Sequence, residues 1–187
     1  RACIHGIEAE LIEKTGDWFG SLAVKEVSPG FEINDVGFHG RVDYRAVSPF
    51  WGRQSNAKKK YTQNYFAGVW SNHAWNFDGT PIFQSVGGST NATFNNFWAA
   101  GIGGNASLGY YNDRLLRGGP VAGQPRNYGV NLWVNSDTRR KVWFNPFFNY
   151  TGYAGDDSWS ASGGVYMESG ATSNVQVTLG PNYSKQV

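Results

Sequence analysis

The sequence predicts an all-β chain: an antiparallel, up-and-down transmembrane β-barrel, or a segment of a larger one, of about eight to ten strands. Three observations carry this reading. Apolar and polar residues alternate with period two along most of the chain. The polar partners in that alternation are mostly Asn, Ser, Thr and Gly rather than Lys or Glu. Trp and Tyr gather near the ends of the alternating runs. One domain over residues 1–187 is expected, either a complete barrel or the C-terminal portion of one.

The runs follow in chain order. Residues 4–14 place Ile7, Ala9 and Leu11 against Glu8, Glu10 and Glu13, a strand pattern with a short helix as alternative. From 36 to 44, Val36, Phe38, Val42 and Tyr44 oppose His39, Arg41, Asp43 and Arg45. From 82 to 100, Ile82, Val86, Ala92, Phe94, Trp98 and Ala100 share one parity, which reads as a single long strand. Residues 127–153 give two strands around the polar stop Asn135–Arg139, with Tyr128, Val130, Leu132 and Val134 on the first and Val142, Phe144, Pro146, Phe148 and Tyr150 on the second. Runs 159–167 and 175–183 follow, with Trp159, Ala161, Val165 and Met167, then Val175, Val177, Leu179 and Tyr183, on one side. Turn clusters at 76–79, 155–158 and 169–172 separate the runs. Residues 112–127, with two Pro and three Gly and no alternation, read as a loop.

An apolar face can meet lipid or a protein core. Charged residues are 16% of the chain, against about 25% in soluble domains, and aromatics are 16%. A soluble sandwich normally keeps its outer face charged; a wet lumen does not need to. Aromatic residues at strand ends (Trp18, Trp51, Trp75, Trp143, Tyr150, Tyr153, Trp159, Tyr183) suit interfacial girdles, although such residues favour strands anyway. No run of eighteen apolar residues exists, which excludes a transmembrane helix and leaves a barrel open. A net charge of +2 points to no nucleic-acid partner. The single cysteine, Cys3, forms no internal disulfide framework. The chain starts with Arg and has no signal-like segment, so a mature piece of a longer exported protein is expected.

Signals for chemistry are sparse. His5, His39 and His73 lack metal spacing, and Asp156-Asp157 alone supplies too few oxygens for Ca²⁺. No metal and no cofactor is expected. Glu32, Asp35 and Asp43 are the nearest thing to a hydrolase carboxylate pair, but Arg41, Asp43 and Arg45 share a parity and read better as an ion-pair ladder in the lumen or a loop. The loop 113–126 carries Arg114, Arg117 and Arg126. Folded over a lumen, these cations would meet anionic solutes or lipopolysaccharide phosphates. The plain alternative is turn-stabilising Arg paired with Asp113 or with carbonyls. The binding candidates are therefore Arg41, Asp43, Arg45, Arg114, Arg117 and Arg126, with no catalytic residue. Lys58-Lys59-Lys60 reads as a solvated turn, with a lipid-headgroup role as the secondary reading.

Several stretches resemble the DUF5916 family: "SPGFEINDVGFHGRVDYR" (28–45), "NHAWNFDG" (72–79), "YYNDRLLRGGPVAGQPRNYGVNLWVNSDTRRKV" (110–142) and "LGPNYSKQV" (179–187). The resemblance runs from about residue 20 to 187 and implies a bacterial outer-membrane protein. In that family an N-terminal domain similar to family 9 carbohydrate-binding modules precedes a C-terminal barrel. The resemblance makes this chain the last part of that barrel, without the carbohydrate-binding domain and with the family's ending continuing past Val187. It brings no established reaction. A non-enzymatic pore or anchor linked to carbohydrate capture or uptake is the expected role. Its expected partners are outer-membrane lipid or lipopolysaccharide, glycans, and other barrel segments or subunits. The alternative is a soluble lectin-like β-sandwich that binds glycans through exposed aromatics.

Overall fold

The computed structural model describes residues 6–31, 41–113, 115, 121–155, 157–172 and 175–187, with 170–172, 175–179 and 182 described by backbone alone. Nearly all of them lie in strands or tight turns. The strands are β1 (Gly6–Thr15), β2 (Trp18–Val27), β3 (Tyr44–Ser55), β4 (Thr62–Trp75), β5 (Pro81–Phe94), β6 (Ala99–Ser107), β7 (Tyr110–Asn112), β8 (Ala122–Gln124), β9 (Asn127–Asn135), β10 (Val142–Tyr153), β11 (Trp159–Thr172), β12 (Val175–Leu179) and β13 (Asn182–Gln186).

Eleven of these strands form one antiparallel sheet, ordered β1-β2-β3-β4-β5-β6-β9-β10-β11-β12, with β13 also on β11. β12 and β13 lie end to end along β11: Met167 pairs Leu179 and Gly164 pairs Asn182. Gly180-Pro181 interrupts their ladder, since proline has no N–H to give. The carbonyl of Pro181 still accepts from the Val165 N–H at 3.3 Å. The sheet therefore has ten positions, at the upper end of the expected number. Neighbouring strands follow each other in sequence, as in an up-and-down wall. Among the described residues β1 pairs only with β2, and β12 and β13 only with β11, so the sheet is open and no closed barrel is found.

Three expectations are corrected. The run 82–100 is two strands, because Asn95–Trp98 form a hairpin turn. There the Phe94 N–H bonds the Trp98 carbonyl at 2.7 Å, and Phe97 takes a left-handed backbone conformation with a φ of 65°. Parity survives this turn, so alternation alone does not reveal it. The loop 112–127 contains a two-stranded hairpin, β7–β8, in which Tyr110 pairs Gln124. Residues 41–43 stand outside β3, and Asp43 has a φ of 62°, which breaks the alternation that joined Arg41 to Arg45. Residues 36–40 of that run lie outside the described residues. The stretch 4–14 resolves to strand from Gly6 onward.

The registers define two faces. The apolar face carries Ile7, Leu11, Leu22, Val24, Val47, Trp51, Val69, Val86, Ile102, Val130, Leu132, Phe148 and Val165, one strand after another. The opposite face carries Ser48, Asn72, Ser85, Ser89, Asn91, Asn105, Asn131, Asn145, Asn149 and Ser162, with aromatic rings among them. Glycines on both faces make room for cross-strand rings. On the polar face a Cβ at Gly87 would lie 2.7 Å from the Trp70 ring, and one at Gly101 would lie 2.6 Å from Trp133. Phe19, Phe50 and Phe66 form a row there, with centroids 5.3 Å apart for the first pair and 6.5 Å for the second.

Only Val27 and Ile82 are buried apolar residues among those described. Among the described residues no sheet lies over the apolar face, and the remaining strands form the β7–β8 hairpin, which touches the polar face through Tyr110 and Phe83. The layer that a soluble sandwich needs is thus not found among the described residues.

The ring-over-glycine packing gives a direct test. Gly87→Val and Gly101→Val would push Trp70 and Trp133 off the sheet, an overpacking cost of about 1–3 kcal/mol each. The midpoint of urea unfolding should fall for both, while Gly123→Val, where a Cβ meets open space, should leave it unchanged.

Candidate functional site

The most informative surface is the apolar face with its two rims. The sheet has a tight-turn end, made by turns 16–17, 56–61, 95–98 and 136–141, and a long-loop end, made by 28–43, 76–80, 108–126 and 154–158. At the tight-turn end the apolar face finishes in Trp18, Trp51, Tyr65, Trp98 and Phe144. Trp18 stacks on Trp51 with centroids 6.0 Å apart, and Trp98 meets Phe144 edge-on at 5.4 Å. At the long-loop end it finishes in Trp75, Tyr128, Tyr150, Trp159 and Tyr183. Tyr150 lies 6.0 Å from Tyr128 and 6.3 Å from Trp159.

Among the described residues, formal charge on this face sits at or beyond the rims. Glu13 and Arg53 are at one end, Glu26, Arg45 and Lys185 at the other. Arg53 lies over the Trp18 ring at 5.2 Å and Lys185 over Trp159 at 5.4 Å. Two of the polar groups between the rims find partners inside the protein. Thr90 Oγ1 donates to the Phe66 carbonyl at 2.9 Å, and His73 Nδ1 bonds Gln84 Oε1. From Trp18 to Glu26 the chain advances roughly 27 Å at about 3.4 Å per residue.

The long-loop end gathers three of the candidate binding residues, each with its own partner. Arg41 Nη2 donates to Asp113 Oδ2 at 2.6 Å, across 72 positions in sequence. Asp43 Oδ1 accepts from the Phe77 N–H at 3.1 Å. Arg45 Nε donates to Glu26 Oε2 at 2.7 Å, and its guanidinium lies 4.2 Å over the Phe77 ring. Arg41, Asp43 and Arg45 therefore form no ladder with one another; they tie loop to hairpin, loop to turn, and strand to strand. Asp113 takes its ion pair from Arg41, far away in sequence. Arg126 is exposed, and its carbonyl accepts from the Ala154 N–H at 2.8 Å. Arg114, Arg117, Cys3, His5, Glu32, Asp35, His39 and Asp156 lie outside the described residues. The hairpin β7–β8 also touches the polar face, where Tyr110 meets Phe83 at 5.6 Å.

The turn 136–141 is locked by a buried carboxylate. Asp137 accepts from Arg139 Nε and Nη2, both at 2.9 Å, and from the Arg139 N–H at 3.1 Å. The Arg139 hydrogen bonds hold its pKa down at about 2, against partial desolvation that works the other way. Ser136 Oγ accepts from the Phe144 N–H at 2.9 Å and closes the same turn. The polar stop Asn135–Arg139 was legible as a turn; its Ser136 and Asp137 anchors were not, because burial is a tertiary property. Among the described residues no group of three His, Cys, Asp or Glu could hold a metal.

Two outcomes follow. Removing the Arg41–Asp113 bond, by Arg41→Gln or Asp113→Asn, should loosen the β7–β8 hairpin by about 1–3 kcal/mol. Trypsin should then cut between 113 and 126 roughly tenfold faster. The Asp137 lock has a depressed folded-state pKa, so its stabilisation is complete above the usual carboxylate value of about 3.9. It should fade as the pH falls from there through about 2. Fluorescence of the neighbouring Trp143 should report that acid transition, and Asp137→Asn should abolish it.

No curated protein and no solved structure matches this chain. The profile of a family described as a domain of unknown function (DUF5916) matches residues 5–187. With essentially the whole length matched, the chain belongs to the DUF5916 family.

Proposed function

We propose that this sheet is a wall of a transmembrane β-barrel in the bacterial outer membrane, acting without catalysis as a pore or as a membrane anchor. The observation that carries the reading is the uncovered apolar face, charge-free between two aromatic rims. In water a contiguous apolar surface of that extent is a liability; in a bilayer it is the expected lipid contact. The face of Asn, Ser, Thr and Gly then lines an aqueous lumen. The β7–β8 hairpin, tied down by Arg41 and resting on Phe83 through Tyr110, narrows the mouth of that lumen. The link to carbohydrate capture rests on the family resemblance alone. A lectin-like sandwich needs a second layer over the apolar face and serves as the competing outcome.

The test is depth-resolved quenching. In reconstituted membranes, acyl-chain-brominated lipid should quench Trp51 on the apolar face, and aqueous iodide should quench Trp133 on the polar face, each read in a variant with the other tryptophans replaced by Phe. Arginine substitution gives the energetic counterpart. Leu132→Arg should cost about 2–4 kcal/mol of folding stability in lipid, while Asn131→Arg, one residue away on the other face, should cost under about 1 kcal/mol. A protein that stays monomeric and dispersed in plain buffer, with both faces open to iodide, would sink the reading.

A further inference from the structure

We propose that the tight-turn end is a composite site for the phosphate-bearing headgroups of the adjoining lipid leaflet, built by three turns acting together. The inference rests on the membrane reading above and specifies the lipid chemistry at one rim. Turn 56–61 carries Lys58, Lys59 and Lys60; turn 136–141 carries Arg139, Arg140 and Lys141; Arg53 stands at the end of β3. The turn between them, 95–98, joins the two basic groups. Asn95 Nδ2 donates to the carbonyls of Lys59 and Lys60 at 3.1 and 2.9 Å. Phe97 on the same turn lies under the Arg139 guanidinium, 3.1 Å from ring centroid to Cζ.

Two carboxylates serve these cations within the turns. Asp17 faces Arg53 and Lys59 at 3.7 and 3.6 Å, and Asp137 faces Arg139 and Arg140 at 2.9 and 3.7 Å. Lys58, Lys60 and Lys141 make no ion pair among the described residues and are exposed. Arg140 has 78% of its side chain exposed, so its weak contact with Asp137 leaves its donors to an outside partner. Among the described residues the opposite end is mixed: Glu26, Asp43, Asp78, Asp113 and Asp157 share it with Arg41, Arg45, Arg126 and Lys185, and Arg41 and Arg45 are already paired.

Position selects lipid over a free anion. The cations stand just past the aromatic rim and lean on it: Lys59 lies over Tyr65 at 4.8 Å and Lys60 over Tyr61 at 5.0 Å. That is where a headgroup plane meets the edge of an apolar band. The cations are spread over separate turns and do not converge on one cradle, so a single small anion reaches only one turn. A leaflet presents many phosphates side by side and satisfies all of them.

The experiment uses the full-length protein, diluted from detergent onto vesicles of phosphatidylcholine alone or of equal parts phosphatidylcholine and phosphatidylglycerol. Flotation measures the bound fraction and heat-modifiable mobility the folded fraction. The expected result is insertion into both, with at least about tenfold stronger partition into the anionic vesicles, reduced by salt. The combined variant Lys58→Gln, Lys60→Gln, Arg140→Gln and Lys141→Gln should lose that preference and still insert into phosphatidylcholine. Lys58→Arg with Lys60→Arg should keep it, which separates charge from folding. Equal partition into both vesicles overturns the headgroup site and leaves the membrane reading intact; insertion into neither overturns the membrane reading. Inhibition by inorganic phosphate beyond that of chloride at equal ionic strength indicates a discrete anion pocket and also overturns the leaflet site.

Discussion

Every feature of this molecule depends on one constraint: a β-sheet satisfies its backbone in the plane and leaves two faces to be covered. Here the in-plane requirement is met by a continuous antiparallel ladder from β1 to β12 and β13. Among the described residues the out-of-plane requirement is not met by protein, since Val27 and Ile82 are the two buried apolar side chains. In a soluble domain of this size the hydrophobic term would come from a packed interior. Among the described residues no protein layer covers the apolar face of this sheet.

Within the sheet, side-chain packing is lateral rather than layered. Rings lie across glycines of the neighbouring strand, Trp70 over Gly87, Trp133 over Gly101 and Trp51 over Gly20. Such pairs recover contact area that glycine gives up and pin the register of long strands. Hydroxyls and amides are treated in the same economical way. Asn145 reaches the Val134 carbonyl and Asn135 Oδ1 across one strand gap, and Thr90 reaches the Phe66 carbonyl. Among the described residues the polar face stays uncharged across β3 to β10, and Asn145 meets its partners within the sheet.

The alternation made the strands and both faces legible, because a period of two is a local property of the chain. Leu132 and Asn131 belong to opposite faces in the structure as in the sequence pattern. Turns that preserve parity were invisible to the same signal, which is why 82–100 looked unbroken across Phe97. The candidate arginines were legible as cations but not by partner. Arg41 finds Asp113 only because the loop after β2 and the hairpin after β6 meet at one end of the sheet. The joining of Lys58–Lys60 to Arg139–Lys141 through Asn95 and Phe97 is likewise a product of strand order, which no local window contains.

The edge strand β1 bears on the same constraint. Edge strands in water protect themselves with charge, often pointing inward, or by being short. β1 is ten residues long, and its Glu8, Glu10 and Lys14 all point to the polar face. On its other face Ile7, Ala9 and Leu11 continue the apolar band of Leu22 and Val24 without a step. A strand that terminated the sheet in water would gain nothing from keeping that side apolar to the last row. In hydrocarbon an unpaired strand edge costs several kcal/mol for each backbone group left without a partner. Three of the four β1 charges, Glu8, Glu10 and Lys14, thus lie on the polar face, and the fourth, Glu13, stands on the apolar face at the tight-turn rim; under the membrane reading proposed above, this arrangement keeps charge out of the hydrocarbon.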